Sequence, residues 1–522
     1  MPTTSVIHSV DGTSFDVHWN EDGWEKLSFG LNQEHWAYPA SMMDRWLDPI
    51  APKRGRAAFD EVGLVNVVRT QFAGPFQYVS VAEMQPAELQ QMMAAVGALI
   101  ARHGSALGFW RNYCEPRARK AVADLDGPLR SAGMEELAGV YAYGMAQTFT
   151  SLAPVMGAMF PLRMMLGQRF GPEGALLADE ATQGGENASQ AVDAQLVALA
   201  EVARANPAVS RIMSERDGSA RLEALRAEPA ATGFLERFDA LIAEHQGRSF
   251  GWELTLPTWG EDPAAVLSMV ALHARSENPS GTAPTSTALR DAARERVTAQ
   301  LTGPELGQFQ HFVGMLDGLV EIREDRAYWQ MRLHGAMRLL LLERGQALVD
   351  SGQLERPDDI LHLVPEEFEN GGVADLDDLA KRRRAEWEHL KSVVPPTYIG
   401  DGTPQIAVPP GSERPGELRG IGVSRGTATG TARIIHEPED IDRFNAGDIL
   451  VCRMTTPAWT PLFGLAAAVV TETGQALSHP AITAREYGIP CVLSVEGAVS
   501  RIADGSTITV DGTAGVVRLG SG

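Results

Sequence analysis

One histidine near the C-terminal end of the chain has neighbours that suit phosphoryl transfer. His479 stands between Ser478 and Pro480. Proline fits the first turn of a helix, and the residue before a proline is disfavoured from helical geometry. We therefore predict that His479 is the exposed N-cap of a short helix that ends at the Gly488-Ile489-Pro490 stop signal. A neutral imidazole is a nucleophile, so this residue could take up and hand on a phosphoryl group.

The start of a helix favours the charged product of that chemistry. Unpaired backbone N–H groups and the positive end of the helix dipole stabilise an anion, and they also keep the free imidazole neutral. The hydroxyls of Thr473 and Ser478 could donate hydrogen bonds to a phosphate, and Arg485 could pair with its oxygens. The alternative is a histidine that only caps the helix, which is what an isolated Ser-His-Pro would suggest.

The wider pattern resembles the phosphohistidine signature of the PEP-utilising enzymes, a family that includes PEP synthase, pyruvate phosphate dikinase and rifampin phosphotransferase. From Thr471 it reads T-x-x-G-x-x-x-S-H-x-A-I-x-A-R-E-x-G-I-P. Further resembling segments are 420–424, 447–451, 456–461 and 510–517. The resemblance implies that His479 is the phosphoryl carrier, with Thr471 and Arg485 at motif positions. The chain departs from the family at Gln475, usually glycine, and at Pro480, usually alanine.

Composition and periodicity divide the chain into four segments. Residues 1–85 are predicted to be a mixed α/β segment packed on a helical domain, and residues 86–394 to be that helical domain. The family resemblance implies that this helical domain binds the substrate. Residues 395–416 are rich in proline and glycine and are predicted to be a flexible linker. Residues 417–522 alternate strand-like runs with glycine turns. The expected fold class is multidomain: a mainly α-helical substrate domain followed by a compact α/β swivelling phosphohistidine domain.

A polar face on a predicted long helix is the candidate acceptor site. Its side chains recur at i, i+3, i+7 and i+11: Arg323, Arg326, Gln330 and His334. Segment 321–363 resembles the helical substrate domain of rifampin phosphotransferase, which adds Glu324 to the candidates. We predict that Arg323 and Arg326 hold the phosphoryl group in transit and that His334 is the base for the acceptor hydroxyl. The alternative is a solvated helix face without function.

The sequence predicts that the nucleotide binds elsewhere. There is no G-x-x-x-x-G-K-[ST] loop, and the three cysteines have no metal-binding spacing. We therefore expect no metal site and no tight cofactor in this chain, with Mg²⁺ and ATP on a separate, ATP-grasp-like subunit. The net charge of −22 argues against a nucleic-acid or anionic-membrane partner. Without a signal-like N-terminus or a membrane-length apolar run, a cytoplasmic location is expected.

A phosphohistidine domain and a helical substrate domain without a nucleotide site resemble one half of a split dikinase such as phenylphosphate synthase. That resemblance implies an enzyme subunit whose partner charges His479 with the β-phosphate of ATP and releases AMP and phosphate. His479 would then phosphorylate a small aromatic, phenolic hydroxyl. The alternatives are an antibiotic or other alcohol phosphotransferase, and a non-enzymatic phosphocarrier that relays phosphate to a protein.

Overall fold

The computed structural model describes residues 4–9, 12–32, 39–47, 50–276, 286–369, 373–393, 395–396, 398–402, 415–436 and 438–520. Within these residues a small N-terminal β part is followed by a helical region, residues 86–390, and a C-terminal α/β unit, residues 417–519. The expected order, a helical region followed by a C-terminal α/β unit, is therefore confirmed.

The N-terminal part contains a hairpin and a small antiparallel sheet. Strands β1 and β2 pair with each other, and the sheet has the order β4-β5-β3-β6. The elements are β1 (Thr4–His8), β2 (Ser14–His18), β3 (Phe29–Leu31), α1 (Met42–Leu47), α2 (Ile50–Asp60), β4 (Val68–Ala73), β5 (Phe76–Val81) and β6 (Tyr398–Ile399). Because β6 pairs with β3, Tyr398 and Ile399 of the predicted linker belong to this sheet. Residues 403–414 of that linker lie outside the described residues.

Sixteen helices form the helical region as described. They are α3 (Pro86–His103), α4 (Ala106–Phe109), α5 (Glu115–Asp126), α6 (Met134–Thr150), α7 (Leu152–Phe170), α8 (Gly174–Glu180), α9 (Ala188–Ala205), α10 (Pro207–Glu215), α11 (Gly218–Ala227), α12 (Thr232–His245), α13 (Pro263–Arg275), α14 (Ser286–Thr298), α15 (Gly303–Met315), α16 (Leu319–Asp350), α17 (Pro365–Phe368) and α18 (Leu376–Leu390). By length and composition alone, the continuous stretch Met134–Phe170 could cross a membrane, and 44% of its most apolar window is buried inside the protein.

Helix α16 is the central element for function, because it carries every predicted residue of the acceptor site. It is separated from α15 by Gly318, whose φ of 78° is the left-handed conformation that glycine adopts without strain. Further along, Gly335 lets the helix approach the loop after α12. A Cβ atom at Gly335 would lie 1.9 Å from the carbonyl oxygen of Gly247.

The C-terminal unit is built on an eight-stranded mixed sheet of order β7-β14-β13-β9-β10-β11-β12-β8, in which β9, β10, β11 and β12 are parallel neighbours. Its elements are β7 (Glu417–Arg419), β8 (Ile421–Ser424), β9 (Thr427–Ile434), β10 (Ile449–Cys452), α19 (Thr460–Phe463), β11 (Ala468–Thr471), α20 (His479–Glu486), β12 (Cys491–Leu493), α21 (Ala498–Arg501), β13 (Thr507–Asp511) and β14 (Val516–Leu519). The helix that begins with His479 therefore connects two parallel strands.

One apolar core crosses the boundary between the helical region and the C-terminal unit. Trp259 and Val266 from the helical region and Leu462 and Phe463 from the C-terminal unit are buried in the same cluster. Non-directional apolar burial of this kind is the main favourable contribution to association. The C-terminal unit is thus held firmly against the helices in this arrangement.

Candidate active site

His479 stands at the start of α20, after a tight turn that follows β11. The N-cap of this helix is Ser478, whose φ of −73° and ψ of 161° are extended, and His479 is the first helical residue. The prediction that His479 is the N-cap was therefore wrong by one position. Pro480 is then the second helical residue, where the N–H group that proline lacks would have no intrahelical partner.

The side chain of His479 is enclosed. Only 8% of it is exposed, because the C-terminal unit is packed on α16. Its Nδ1 lies 3.0 Å from Oε2 and 3.2 Å from Oε1 of Glu324, and Phe463 contacts the ring edge to face. The prediction that His479 is exposed is therefore wrong, because it took account of the C-terminal domain alone and not of its contact with α16.

Glu324 is a buried carboxylate that orients the imidazole. It also accepts a hydrogen bond from Oγ of Ser189 at 2.8 Å. Burial raises the pKa of Glu324, but the charge of His479 and the hydrogen bonds from His479 and Ser189 outweigh burial and lower that pKa below its usual range. An ionised carboxylate can only accept hydrogen bonds, so Nδ1 of His479 is the donor. In the neutral imidazole, Nε2 then carries the free lone pair.

Thr483 and Arg323 complete the immediate surroundings of His479. The Thr483 hydroxyl, one helical turn after His479, lies 3.3 Å from Nδ1 and 3.4 Å from Nε2. Arg323 donates a hydrogen bond to the carbonyl of Leu477 and so links α16 to the turn before the histidine. Thr483 was missed by the sequence analysis, although its i+4 spacing from His479 was a usable signal.

The predicted polar face of α16 is buried, so the alternative of a solvated face is wrong. Nη1 of Arg326 donates to Oε1 of Gln330 at 3.2 Å, and Nε2 of Gln330 donates to Oγ1 of Thr148 at 2.8 Å. His334 contacts the Tyr141 hydroxyl at 3.0 Å, and burial lowers the pKa of His334 to about 4. Thr148 and Tyr141 both lie on α6.

The buried face does not coincide with the contact to His479. At roughly 100° per residue, Gln330 and His334 point to a different side of α16 from Glu324. His334 also lies ten residues beyond Glu324, which is about 15 Å along the helix. The structure therefore brings Glu324 and Arg323 to the histidine, while Arg326 and Gln330 face α6. His334 lies between Tyr141 of α6 and Trp252, whose ring centre is 6.1 Å from that of His334. The roles of Arg326, Gln330 and His334 in transfer stay predictions.

The four predicted phosphate ligands have hydrogen bonds of their own. Thr471 donates to the carbonyl of Thr473, Thr473 to that of Arg453, and Ser478 to that of Gln475. These bonds shape the turn that presents His479. Their role as phosphate ligands stays a prediction.

Arg485, the fourth predicted phosphate ligand, is buried on another side of α20. It donates to the carbonyls of Val423 and Ala476 at 2.9 and 2.7 Å and lies 3.6 Å from Asp179 of the helical region. These contacts tie β8, the turn and the helical region together. Its role as a phosphate ligand likewise stays a prediction.

A small pocket lies beside Glu324 and Thr483, and its volume of about 10 Å³ has room for no more than a single water molecule. Its lining is mostly polar: Asn187, Ser189, Gln190, Glu324, Thr460, Ile482, Thr483, Glu486 and Tyr487. Both domains contribute to it. Across the described ranges, no group of three or more histidine, cysteine, aspartate or glutamate side chains is placed to hold a metal ion.

Two segments of the chain match known domain families. Residues 444–515, which include His479, match the family described as "PEP-utilising enzyme, mobile domain". Residues 147–324, which end at Glu324, match the family described as "Rifampicin phosphotransferase fourth domain". The contact between His479 and Glu324 therefore joins the two matched segments.

Similar curated proteins are longer than this chain. An uncharacterized protein of Mycobacterium tuberculosis is 33% identical over 62% of this chain and 35% of its own length. A rifampicin phosphotransferase of Streptomyces sviceus is 29% identical over 64% of this chain and 40% of its own length. An uncharacterized phosphotransferase of Bacillus subtilis is 35% identical over 38% of this chain and 25% of its own length. The chain thus spans two fifths or less of each.

Proposed function

Because the chain carries the mobile domain of the PEP-utilising enzymes beside a rifampicin phosphotransferase fourth domain, we propose that it is a phosphotransferase subunit of the dikinase type. His479 takes up a phosphoryl group on Nε2 and transfers it to a small aromatic hydroxyl, in the manner of phenylphosphate synthase. The main support is the contact of Nδ1 of His479 with Glu324, which holds the imidazole ring against the helical region.

The transfer step uses the two paired groups. The P–N bond at Nε2 breaks and its electron pair returns to the imidazole, while a P–O bond forms to the acceptor oxygen. The hydroxyl proton goes to a phosphoryl oxygen of the product, while Glu324 keeps its hydrogen bond with Nδ1 of His479. Because a phenol has a pKa near about 10, its oxygen needs only modest assistance from a base. Thr483, 3.4 Å from Nε2, is positioned to donate a hydrogen bond to a phosphoryl oxygen.

An apolar cluster next to Glu324 supports an aromatic acceptor. Ala327 and Met331 follow Glu324 on the same side of α16, and they pack with Trp252 of the loop before α13 and with Met454 of the C-terminal unit. In this proposal the aromatic ring packs on a floor of Trp252, Ala327 and Met331, because indole and thioether groups both pack favourably on aromatic faces. The Met454 side chain shifts aside to make room for the ring when the C-terminal unit packs on the helices for transfer.

Charging of His479 takes place on a separate subunit in this proposal. That partner binds Mg²⁺ and ATP, phosphorylates His479 and releases AMP and phosphate. In this proposal the C-terminal unit swings between the partner and the helical region. The proposal places both subunits in the cytoplasm. The extra length of the curated relatives is consistent with a further functional part outside this chain.

An antibiotic acceptor is the second candidate, and the rifampicin phosphotransferases among the relatives favour it. One experiment separates the two. His479 is charged chemically with phosphoramidate, which requires no partner, and the loaded protein is offered phenol, benzyl alcohol or a rifamycin. We expect phenyl phosphate as the fastest product. Transfer only to the rifamycin would replace the phenolic acceptor, and transfer to none would contradict the enzymatic proposal.

A further inference from the structure

Arg248 is a buried arginine at the boundary between the two domains, and the sequence analysis did not single it out. It lies in the loop between α12 and α13, with its side chain among the largest fully buried ones. The loop is fixed by hydrogen bonds from the N–H of Arg248 to His245 and from the N–H of Trp259 to Arg248. The close approach of Gly335 to Gly247 holds the same loop against α16.

Its guanidinium has few partners for such a buried group. Nη2 donates to the carbonyl of Pro457, across the domain boundary, at 2.6 Å. The positive group also lies 4.8 Å from the ring centre of Trp259. Nε and Nη1 of Arg248 have no hydrogen-bond partner among the described residues. Buried charged groups are normally fully hydrogen-bonded, so two unpaired donor atoms on one guanidinium require a cause.

Arg248 belongs to the surroundings of His479. Pro457, whose carbonyl accepts from Arg248, also accepts a hydrogen bond from Oγ1 of Thr460 at 2.9 Å. Thr460 lines the pocket beside Glu324, and Phe463 of the same short helix contacts the His479 ring. A single segment of the C-terminal unit thus connects Arg248 with the carrier histidine.

Arg248 keeps its positive charge at neutral pH. Burial lowers the pKa of Arg248 to about 10, while Tyr328, Glu324 and Asp193 act in the opposite direction. The guanidinium is therefore still positive at neutral pH. Arginine is the side chain best suited to phosphate oxygens, because it is a planar group with several donors in fixed directions.

We propose that Arg248 is an anion-binding residue that holds the phosphoryl group of His479 while it is transferred. This inference rests on the proposed function of His479 and adds a residue to it. The unpaired Nε and Nη1 atoms bind phosphoryl oxygens when the charged C-terminal unit is packed on the helices. Arg248 therefore stabilises the charge that spreads over these oxygens as the P–N bond breaks.

The test compares Arg248→Gln and Arg248→Lys with Arg221→Gln. Arg221 is also buried and also spans the boundary, through its ion pair with Asp442 at 2.8 Å, but none of its contacts involves the His479 segment. Each protein is charged with phosphoramidate, its ³¹P NMR signal is recorded, and phosphoryl transfer to phenol is followed in a single turnover. The ³¹P signal reports the contact itself, which a purely structural role would not change.

In Arg248→Gln we expect normal charging, a shifted ³¹P signal and transfer slowed by about 10²–10³-fold, as for loss of one transition-state donor. Arg248→Lys keeps the charge and the fold, and should recover part of the rate. Arg221→Gln should keep the wild-type signal and rate. Wild-type signal and rate in both Arg248 variants would overturn the inference. If the wild-type protein is charged but transfers nothing, the proposed function itself fails, whatever the variants do.

Discussion

Nδ1 of His479 lies 3.0 Å from Oε2 of Glu324, so a histidine at the start of α20 is oriented by a carboxylate from α16. The two residues are 155 positions apart in the chain and belong to different domains. A carboxylate that holds one imidazole nitrogen fixes which nitrogen is free to react. This histidine–carboxylate pair is thus complete only when the C-terminal unit is packed on the helices.

Replacement of Glu324 should separate transfer from charging. Glu324→Gln keeps the size and one acceptor oxygen but removes the negative charge that orients Nδ1 of His479. We expect chemical charging of His479 to stay near normal and single-turnover transfer to phenol to slow by about 10²–10³-fold. The matched control is Glu321→Gln, one turn earlier on α16, where the carboxylate pairs with Arg111. Equal rates in the two variants would remove Glu324 from the mechanism.

Replacement of Trp252 should weaken binding of an aromatic acceptor. Trp252→Ala removes most of the proposed floor while it leaves His479 and Glu324 in place. We expect KM for phenol to rise about 10-fold, in line with roughly 0.5–1.5 kcal/mol for an aromatic contact and its lost apolar burial. The control is Trp46→Ala, because Trp46 bonds to Glu366 away from the site. An unchanged KM in Trp252→Ala would place the ring elsewhere.

A methyl group at Gly335 should disturb the loop that carries Arg248. The new Cβ would lie 1.9 Å from the carbonyl oxygen of Gly247, so the helix or the loop must move. We expect Gly335→Ala to lower the free energy of unfolding by about 1–3 kcal/mol and to slow transfer. Gly314→Ala, on α15, has open space around the added methyl and should be neutral or slightly stabilising. Urea unfolding of both variants is the measurement.

Burial of Asp44 predicts a pH dependence of stability. Asp44 accepts a hydrogen bond from the N–H of Leu254, in the loop that carries Trp252, and burial raises the pKa of Asp44 from 3.8 to about 6. Between these values the folded protein keeps a proton that the unfolded chain has lost, so rising pH destabilises the fold. Relative to Asp44→Asn, wild type should lose up to about 3 kcal/mol between pH 4 and pH 6.5. Parallel stability curves would contradict the raised pKa.

The local parts of the account could be predicted from the sequence. Pro86 at the start of α3, the strands of the C-terminal unit and the helix after the His479 turn follow from capping, alternation and stop signals. The contacts between distant segments could not. No periodicity indicates that Arg248 reaches Pro457 or that Glu324 reaches His479, because both depend on how the two domains pack. The polar face of α16 shows the same limit. The spacing of its residues shows that they share one face of the helix, but it does not show whether that face is covered by solvent or by α6.

The site of phosphorylation is the most direct test of the whole account. Wild type and His479→Ala are treated with phosphoramidate, digested and mapped for the phosphorylated peptide, and the intact proteins are then exposed to phenol. We expect wild type to carry one acid-labile, base-stable phosphoryl group on His479 and to release it as phenyl phosphate. His479→Ala, folded as judged by circular dichroism, should show neither that peptide nor the product. Phenyl phosphate formed by His479→Ala at the wild-type rate would contradict His479 as the phosphoryl carrier.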